Sequence, residues 1–572
     1  MTRTHLFSIV VIALAVITLA IMIWGFDKGF DFTDGGCYVL RYQQNQPSEP
    51  SGYWYEHILV KAIVPSSLRT IKSLRYIGLL LNLLSTFLFA LAILITHKKM
   101  HGHRISFSLL LLLMLPPIVL SAAGLPGALS YNTLNQFFLI TSTALLVFCI
   151  SYGGVPSLIL AALAAGVSSM LYLVKLPTAM AMTLFASLSL LFSGADRWRR
   201  LLIFLSTSLV FLFLWSITFK PNFMLKYYNA YNINYLKGSI HNPTSLLMSL
   251  KDAVLMVLFT LGYATLISTM FLLGHLKRDN KVQQIVLWCI GLLLLTVYVS
   301  LNLINHILGY GVLSNLFLMV IFFLVFAVIL QHYSLRGNIV DCIAEYKPYK
   351  RYLPLLLLLI VVPYIGAIGS FVSLDAISKY YFVSFMGAIA LLFPLLRVKH
   401  TKLVVICFSF YLSLIGLYHY VEFPFGYGPL YKQTVEYKGI KYQPERAHFL
   451  KLTEEILTKH GFNKDQGLIV AYTQPGIVYL MGTYHPGGIL WKIRDLSGYF
   501  RNLKQSHLKL KPVVMSLLGA PSDDFVAGFN DATGLDFYRD YWVVDPAEFQ
   551  GVNPSPYMYF PYSAAMSSES KR

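Results

Sequence analysis

Long apolar runs alternate with short polar joints over most of the chain. A helix needs about 20 apolar residues to cross the hydrocarbon core of a bilayer. Runs of that kind fall at 6–24, 76–96, 105–121, 132–150, 156–174, 176–193, 201–219, 253–273, 283–303, 312–330, 352–369, 380–396 and 403–420. The pattern predicts a mainly α, polytopic transmembrane bundle of about 13 helices. The first run exceeds the apolar core of about 7–15 residues found in secretion signals, and no small-residue cleavage site follows it, so it reads as a retained helix. Beyond 420 the pattern changes. Residues 445–460 read as an amphipathic helix, 467–476 as a buried strand ending in a turn, and 541–544 as another strand. The domain expectation is a membrane domain over 1–420, with one large loop at 25–75, and a smaller α/β domain over 421–572.

Charge sets the orientation. The basic clusters at 97–104, 196–200, 275–281, 336–351 and 397–402 all fall on one side of the membrane, the side of the N-terminus. Excess Lys and Arg marks the cytoplasmic side. An odd number of spans then places the C-terminal domain outside, together with the 25–75 loop. The expected location is a bacterial inner membrane, with the tail in the periplasm. The 572 residues are 56% hydrophobic and only 12% charged, against roughly 25% charged in soluble domains. The net charge of +19 is therefore read as topology, and a nucleic-acid partner is excluded. Cytoplasmic loops are short, and neither a Walker loop nor a Rossmann glycine fingerprint is present.

Against this apolar background, Asp27, Asp31 and Asp34 stand close together just after the first span. Carboxylates at a membrane boundary are costly unless solvated, paired or used. Such a cluster suits glycosyl transfer from a lipid-linked sugar. The acceptor hydroxyl needs a carboxylate to take its proton as it attacks. The departing lipid phosphate needs cations, a helix N-terminus or a metal.

Asp34, in TDGGCYVLRY, resembles the aspartate of the TDEG-type motif in the first external loop of GT-C class glycosyltransferases. PGALSYNTLN at 126–135, VKLPTA at 174–179, PYIGAIGSFVSLD at 363–375 and PFGYGPLYKQTV at 424–435 are similar to segments of bacterial members, in the same order. The resemblance implies a polytopic enzyme that takes sugar from a polyprenyl-phosphate carrier and passes it to a glycan, lipid or protein acceptor. The acid that often follows the motif aspartate is Gly35 here, which weakens any scheme built on adjacent acids.

Asp34 is the expected general base, or the residue that holds the acceptor through a divalent ion such as Mg or Mn shared with Asp31. Capping the helix that starts near Cys37 is its alternative role. Asp31 is the second catalytic candidate, with a solvated loop acid as the alternative. Lys175 and Arg41 are the candidates for the donor phosphate; Arg41 pairing with Asp34 or Glu49 is the competing reading. Lys379, Tyr380, Asp375 and His306 are further candidate substrate contacts, with interfacial anchoring or plain packing as alternatives. Two rival functions remain at this point. A polysaccharide or lipid-linked sugar flippase needs binding groups at the bilayer midplane, where the chain is nearly free of charge. A non-catalytic assembly protein accounts for the tail but not for the acids.

Overall fold

The computed structural model describes residues 3–43, 56–124, 129–194, 196–218, single positions and short stretches between 258 and 297, 350, 352–368, 381–395, 399–422, 428–471, 474–487, 496–505, 508, 510–517, 519–552 and 556–562. The chain is mainly helical, with several long apolar helices and a smaller α/β part at its C-terminal end, as the hydropathy pattern predicts. It divides into two compact units. One comprises Met1–Ala20, Leu79–Gly124 and Tyr131–Tyr418. The other comprises Ile21–Gly78, Leu125–Ser130 and His419–Arg572. The first large loop thus groups with the tail, whereas the sequence reading attached it to the membrane domain.

The apolar helices in chain order are α1 (Arg3–Trp24), then, after two short helices α2 (Asp34–Gln43) and α3 (Glu56–Ile63), α4 (Ile71–His101), α5 (Phe107–Gly124), α6 (Tyr131–Ser151), α7 (Gly154–Val174), α8 (Leu176–Leu191), α9 (Arg197–Thr218), α10 (Leu353–Ala367), α11 (Val383–Leu392) and α12 (Lys399–Glu422). Among the described residues, six helices are long and apolar enough to cross a membrane, and four shorter apolar helices accompany them. This is a multi-pass membrane protein. Ten predicted spans coincide with these helices. Of the other three, 253–273 and 283–303 are described only at scattered positions, and 312–330 lies outside the described residues.

Within the membrane unit, α6 packs on α7, α7 on α9, α8 on α10, and α10 and α5 on α11. Every one of the ten residues of α11 is buried, the mark of a helix at the centre of a bundle. The outer helices keep apolar side chains on the surface, for example Leu209, Phe213 and Ile217 of α9. In a soluble protein such a face is a liability; here it is the surface that lipid covers.

In the second unit, a hairpin joins β1 (Val435–Tyr437) to β2 (Ile440–Tyr442). Its turn is Lys438-Gly439, both at positive φ (49° and 80°), as a two-residue turn between twisted strands requires. Helix α13 (Pro444–Lys459) follows. Then β3 (Leu468–Ala471) runs parallel to β4 (Val513–Ser516), with α14 (Pro475–Leu480) and α15 (Leu496–Gln505) between them. After α16 (Asp523–Thr533) and α17 (Phe537–Asp540), strands β5 (Tyr541–Val543) and β6 (Tyr557–Pro561) complete a sheet of order β3-β4-β6-β5, with β6 antiparallel to both neighbours. Helix α16 is set by its ends: Ser522 Oγ accepts from the Phe525 amide at 3.3 Å, and Gly534 closes it at φ 70°. Its apolar side packs Phe525 and Phe529 against Phe537, Tyr541 and Tyr559.

Phe537 meets five aromatic neighbours and is fully buried. Phe537→Ala should cost about 3–5 kcal/mol. Thermal unfolding of the full chain in detergent, followed by tail fluorescence, should show a lowered midpoint; an unchanged midpoint would remove Phe537 from the core.

Candidate active site

The acids after α1 do different work. The chain leaves α1 through a short 3-10 turn at Gly25–Asp27 and enters α2 at Asp34. A helix begins with backbone amides that have no intrahelical partner. Asp31 supplies those partners. Its Oδ1 accepts from the Thr33 amide at 2.9 Å and from Thr33 Oγ1 at 2.5 Å, and its Oδ2 accepts from the Gly35 amide at 2.9 Å. Its backbone carbonyl takes the Gly36 amide at 2.7 Å. Capping, the role weighed for Asp34, is performed by Asp31, and the helix starts at Asp34 rather than near Cys37. Asp27 is a salt-bridge partner, 3.2 Å from Lys28 Nζ and 2.9 Å from Lys441 Nζ. It holds the exposed Lys441 ammonium above its ordinary pKa.

This turn is fastened from several directions inside its own unit. Arg75 is buried and donates from Nη1 to the carbonyls of Phe26 (2.9 Å) and Lys28 (3.1 Å), and from Nη2 to Gly29 (2.7 Å). The Gly29 amide donates to the Lys441 carbonyl at 2.8 Å, and the Gly476 amide to the Phe32 carbonyl at 2.8 Å. Helices α2 and α14 touch at two glycines. A Cβ on Gly36 would overlap the Gly476 backbone, and one on Gly476 would lie 2.6 Å from Phe32 Cα. Phe30 meets Tyr479 edge-on, and Tyr420 donates to the Met22 carbonyl at 2.7 Å. None of these partners was singled out from sequence. The only signal was the Gly35-Gly36 pair, which marks a close backbone approach without naming what approaches.

Arg41 sits in the last turn of α2 and donates to Glu56 Oε1 of α3 at 3.0 Å. Glu56 is fully buried. Burial raises its carboxyl above the ordinary range, and the Arg41 charge opposes that shift. Glu56 is thus a partner of Arg41; Glu49 lies outside the described residues.

In the membrane unit, the structure brings together three of the segments noted in the sequence. Lys175, between α7 and α8, is fully buried, and its Nζ donates to the Gly366 carbonyl at 2.9 Å. Asn135 of α6 donates from Nδ2 to the same carbonyl (3.3 Å) and to Tyr381 Oη (2.7 Å). Thr178 Oγ1 reaches Gly366 from 3.5 Å. Gly366 lies in the last turn of α10, where carbonyls lack intrahelical donors and the helix dipole is negative. The ammonium is thus held at a helix C-terminus. A second polar group adjoins it on α6: Gln136 Nε2 donates to Asn82 Oδ1 at 3.0 Å, and Asn82 Nδ2 donates to Ser121 Oγ at 2.7 Å. Asp375, Lys379, Tyr380 and His306 lie outside the described residues.

The divalent cation expected at Asp31 and Asp34 would share Asp31 with the start of α2. The Asp31 oxygens already accept three hydrogen bonds that begin α2. Among the described residues no three His, Cys, Asp or Glu side chains are grouped to hold a metal ion.

No family model matches the chain, and no curated protein matches it. Among solved structures, it overlaps the Archaeoglobus fulgidus oligosaccharyltransferase complex with zinc and sulfate, at 13% identity and a TM-score of 0.42, over 92% of this chain and 71% of that one. It also overlaps the archaeal oligosaccharyltransferase AglB of the same organism, in complex with an inhibitory peptide and a dolichol-phosphate. That match has 10% identity and a TM-score of 0.41, over 97% of this chain and 74% of the other. Overlaps this loose assign no chemistry, and the reading of function rests on the chain's own residues.

Three substitutions at two positions test the fastening. Asp31→Ala should cost about 0.5–2 kcal/mol of stability, and Asp31→Asn only part of that, because an amide keeps one of the two accepting oxygens. Arg75→Leu leaves three carbonyls without their donors and should cost more than about 3 kcal/mol. Thermal midpoints of the purified variants check both; equal losses for the two Asp31 variants would remove the capping role.

Proposed function

We propose that this protein is an inverting glycosyltransferase of the GT-C type. It moves a monosaccharide from a polyprenyl-phosphate carrier to a lipid-linked glycan, an envelope polysaccharide or a protein. The work is done on the periplasmic face of a bacterial inner membrane, with the N-terminus in the cytoplasm. The observation that carries the reading is the division of labour among the acids. Asp27 is paired with lysines and Asp31 begins α2, so neither role has to be filled by Asp34.

Asp34 is the first residue of α2. The positive end of the helix dipole favours the ionised form of an acid in the first turn, and a general base has to be ionised to act. In the proposed step, the acceptor oxygen attacks the anomeric carbon from the face opposite the phosphate. Its proton passes to the Asp34 carboxylate. The bond between the anomeric carbon and the phosphate oxygen breaks, the electron pair leaves with the carrier phosphate, and the anomeric centre inverts. Lys175 is proposed separately as a residue that binds the carrier phosphate; an ionisable group buried among membrane helices is a functional-site hypothesis by default. Arg41 is engaged by Glu56 and is assigned to holding α2 against α3.

Asp34→Asn should lower kcat by about 10²- to 10⁴-fold, the range for loss of a general base, and should remove the acid limb of the pH–rate profile. Asp31→Asn should keep most of the activity. The assay uses purified protein in nanodiscs, a panel of polyprenyl-phosphate monosaccharides and an envelope glycan extract. Wild-type activity in Asp34→Asn would eliminate the mechanism.

A further inference from the structure

The first two turns of α6 carry three amide side chains at Asn132, Asn135 and Gln136. Positions i, i+3 and i+4 share one side of a helix. Asn135 and Gln136 are 0% and 2% exposed. All three side-chain oxygens, Asn132 Oδ1, Asn135 Oδ1 and Gln136 Oε1, are buried and lack a hydrogen-bond partner among the described residues. The assignment of oxygen and nitrogen is dictated by the neighbours. The Gly366 carbonyl only accepts, so Asn135 must turn its nitrogen to it. The Ile118 carbonyl takes Asn82 Nδ2 at 3.4 Å, which leaves Asn82 Oδ1 to accept from Gln136. The orphaned atoms of Asn135 and Gln136 are therefore acceptors.

Acceptors left unmet inside a membrane bundle are expensive. They call for a ligand that brings hydrogen-bond donors. A phosphate diester brings none, and an acyl or prenyl chain brings none. A metal cation is disfavoured, because the Lys175 ammonium shares the Gly366 carbonyl with Asn135. A polyhydroxyl group brings several donors at once.

We infer that the face of α6 bearing Asn132, Asn135 and Gln136 is the site that receives the sugar hydroxyls of the lipid-linked donor. The inference rests on the glycosyl-transfer reading and adds to it the residues that tell a sugar-bearing carrier from a bare one. The Asn135 amide ties the site to Lys175 through Gly366, so hydroxyl recognition and the positive charge are built on one carbonyl.

The test measures binding of the full chain in nanodiscs to bare polyprenyl phosphate and to polyprenyl phosphate carrying glucose, mannose, galactose or arabinose. Wild-type protein should bind at least one sugar-bearing carrier about tenfold or more tightly than the bare carrier, since a site built to bond hydroxyls rejects the analogue that lacks them. Gln136→Met should erase that preference while leaving the affinity for the bare carrier in place, and Asn135→Leu should erase it too. Gln136→Met keeps the side-chain length, and Asn82 remains bonded to Ser121, Ile118 and Thr86, so this variant serves if Asn135→Leu does not fold. A wild-type protein without sugar preference, or variants that keep it, would overturn the site and mean that water satisfies these oxygens. Asp34→Asn separates the two proposals: it should bind with full preference but not transfer. Full preference together with unimpaired transfer in that variant would sink the base mechanism and leave the sugar site standing. Asp34-dependent transfer without any preference would do the reverse.

Discussion

The buried guanidinium of Arg75 is the constraint on which the candidate site depends. It holds the carbonyls of Phe26, Lys28 and Gly29, three acceptors on a stretch of chain that has just left a helix and has no regular ladder. A planar fork of donors can meet several carbonyls at once; an ammonium of the same charge lacks that geometry. With the backbone bent this way, Asp31 reaches the amides of Thr33 and Gly35, α2 begins at Asp34, and Gly36 comes against Gly476. Removing the fork would leave buried carbonyls unmet, and such groups cost more than the bonds they replace gain.

Three aspartates within one short loop have different fates for local reasons. Asp27 lies beside Lys28 and across from Lys441, so charge pairing claims it. Asp31 precedes a helix by a few residues, where unpaired amides claim both of its oxygens. Asp34 stands inside the first turn, where the helix dipole favours a carboxylate without requiring one. Composition alone treats the three as equals; the helix start distinguishes them.

The membrane unit handles its polar groups by sharing acceptors. The carbonyl of Gly366, at the end of α10, takes Lys175, Asn135 and Thr178, and so joins three helix ends that are far apart in the chain. In lipid there is no water to replace these bonds. Where the sharing stops, at the amide oxygens of α6, the described residues offer no donors to these acceptors, the opposite of what an apolar scaffold would keep.

Much of the architecture was legible beforehand, because the bilayer imposes a length and a hydropathy on every span and the tail has helical and strand periodicities of its own. Helices α1, α4 and α6 could be read from those rules, as could α13 and strands β3 and β5. The segments around Asn135 and Gly366 could be marked by their likeness to GT-C segments, and Lys175 as a charge between two apolar runs. The partners of those residues could not be read. Whether Arg41 meets Glu56 or Asp34, whether Asp31 or Asp34 begins a helix, and which backbone comes to rest against Gly36 depend on contacts between segments distant in the chain. Hydropathy is a property of each position and survives in the sequence. A hydrogen bond or a close approach belongs to two positions at once, and it exists only when folding brings both to the same place.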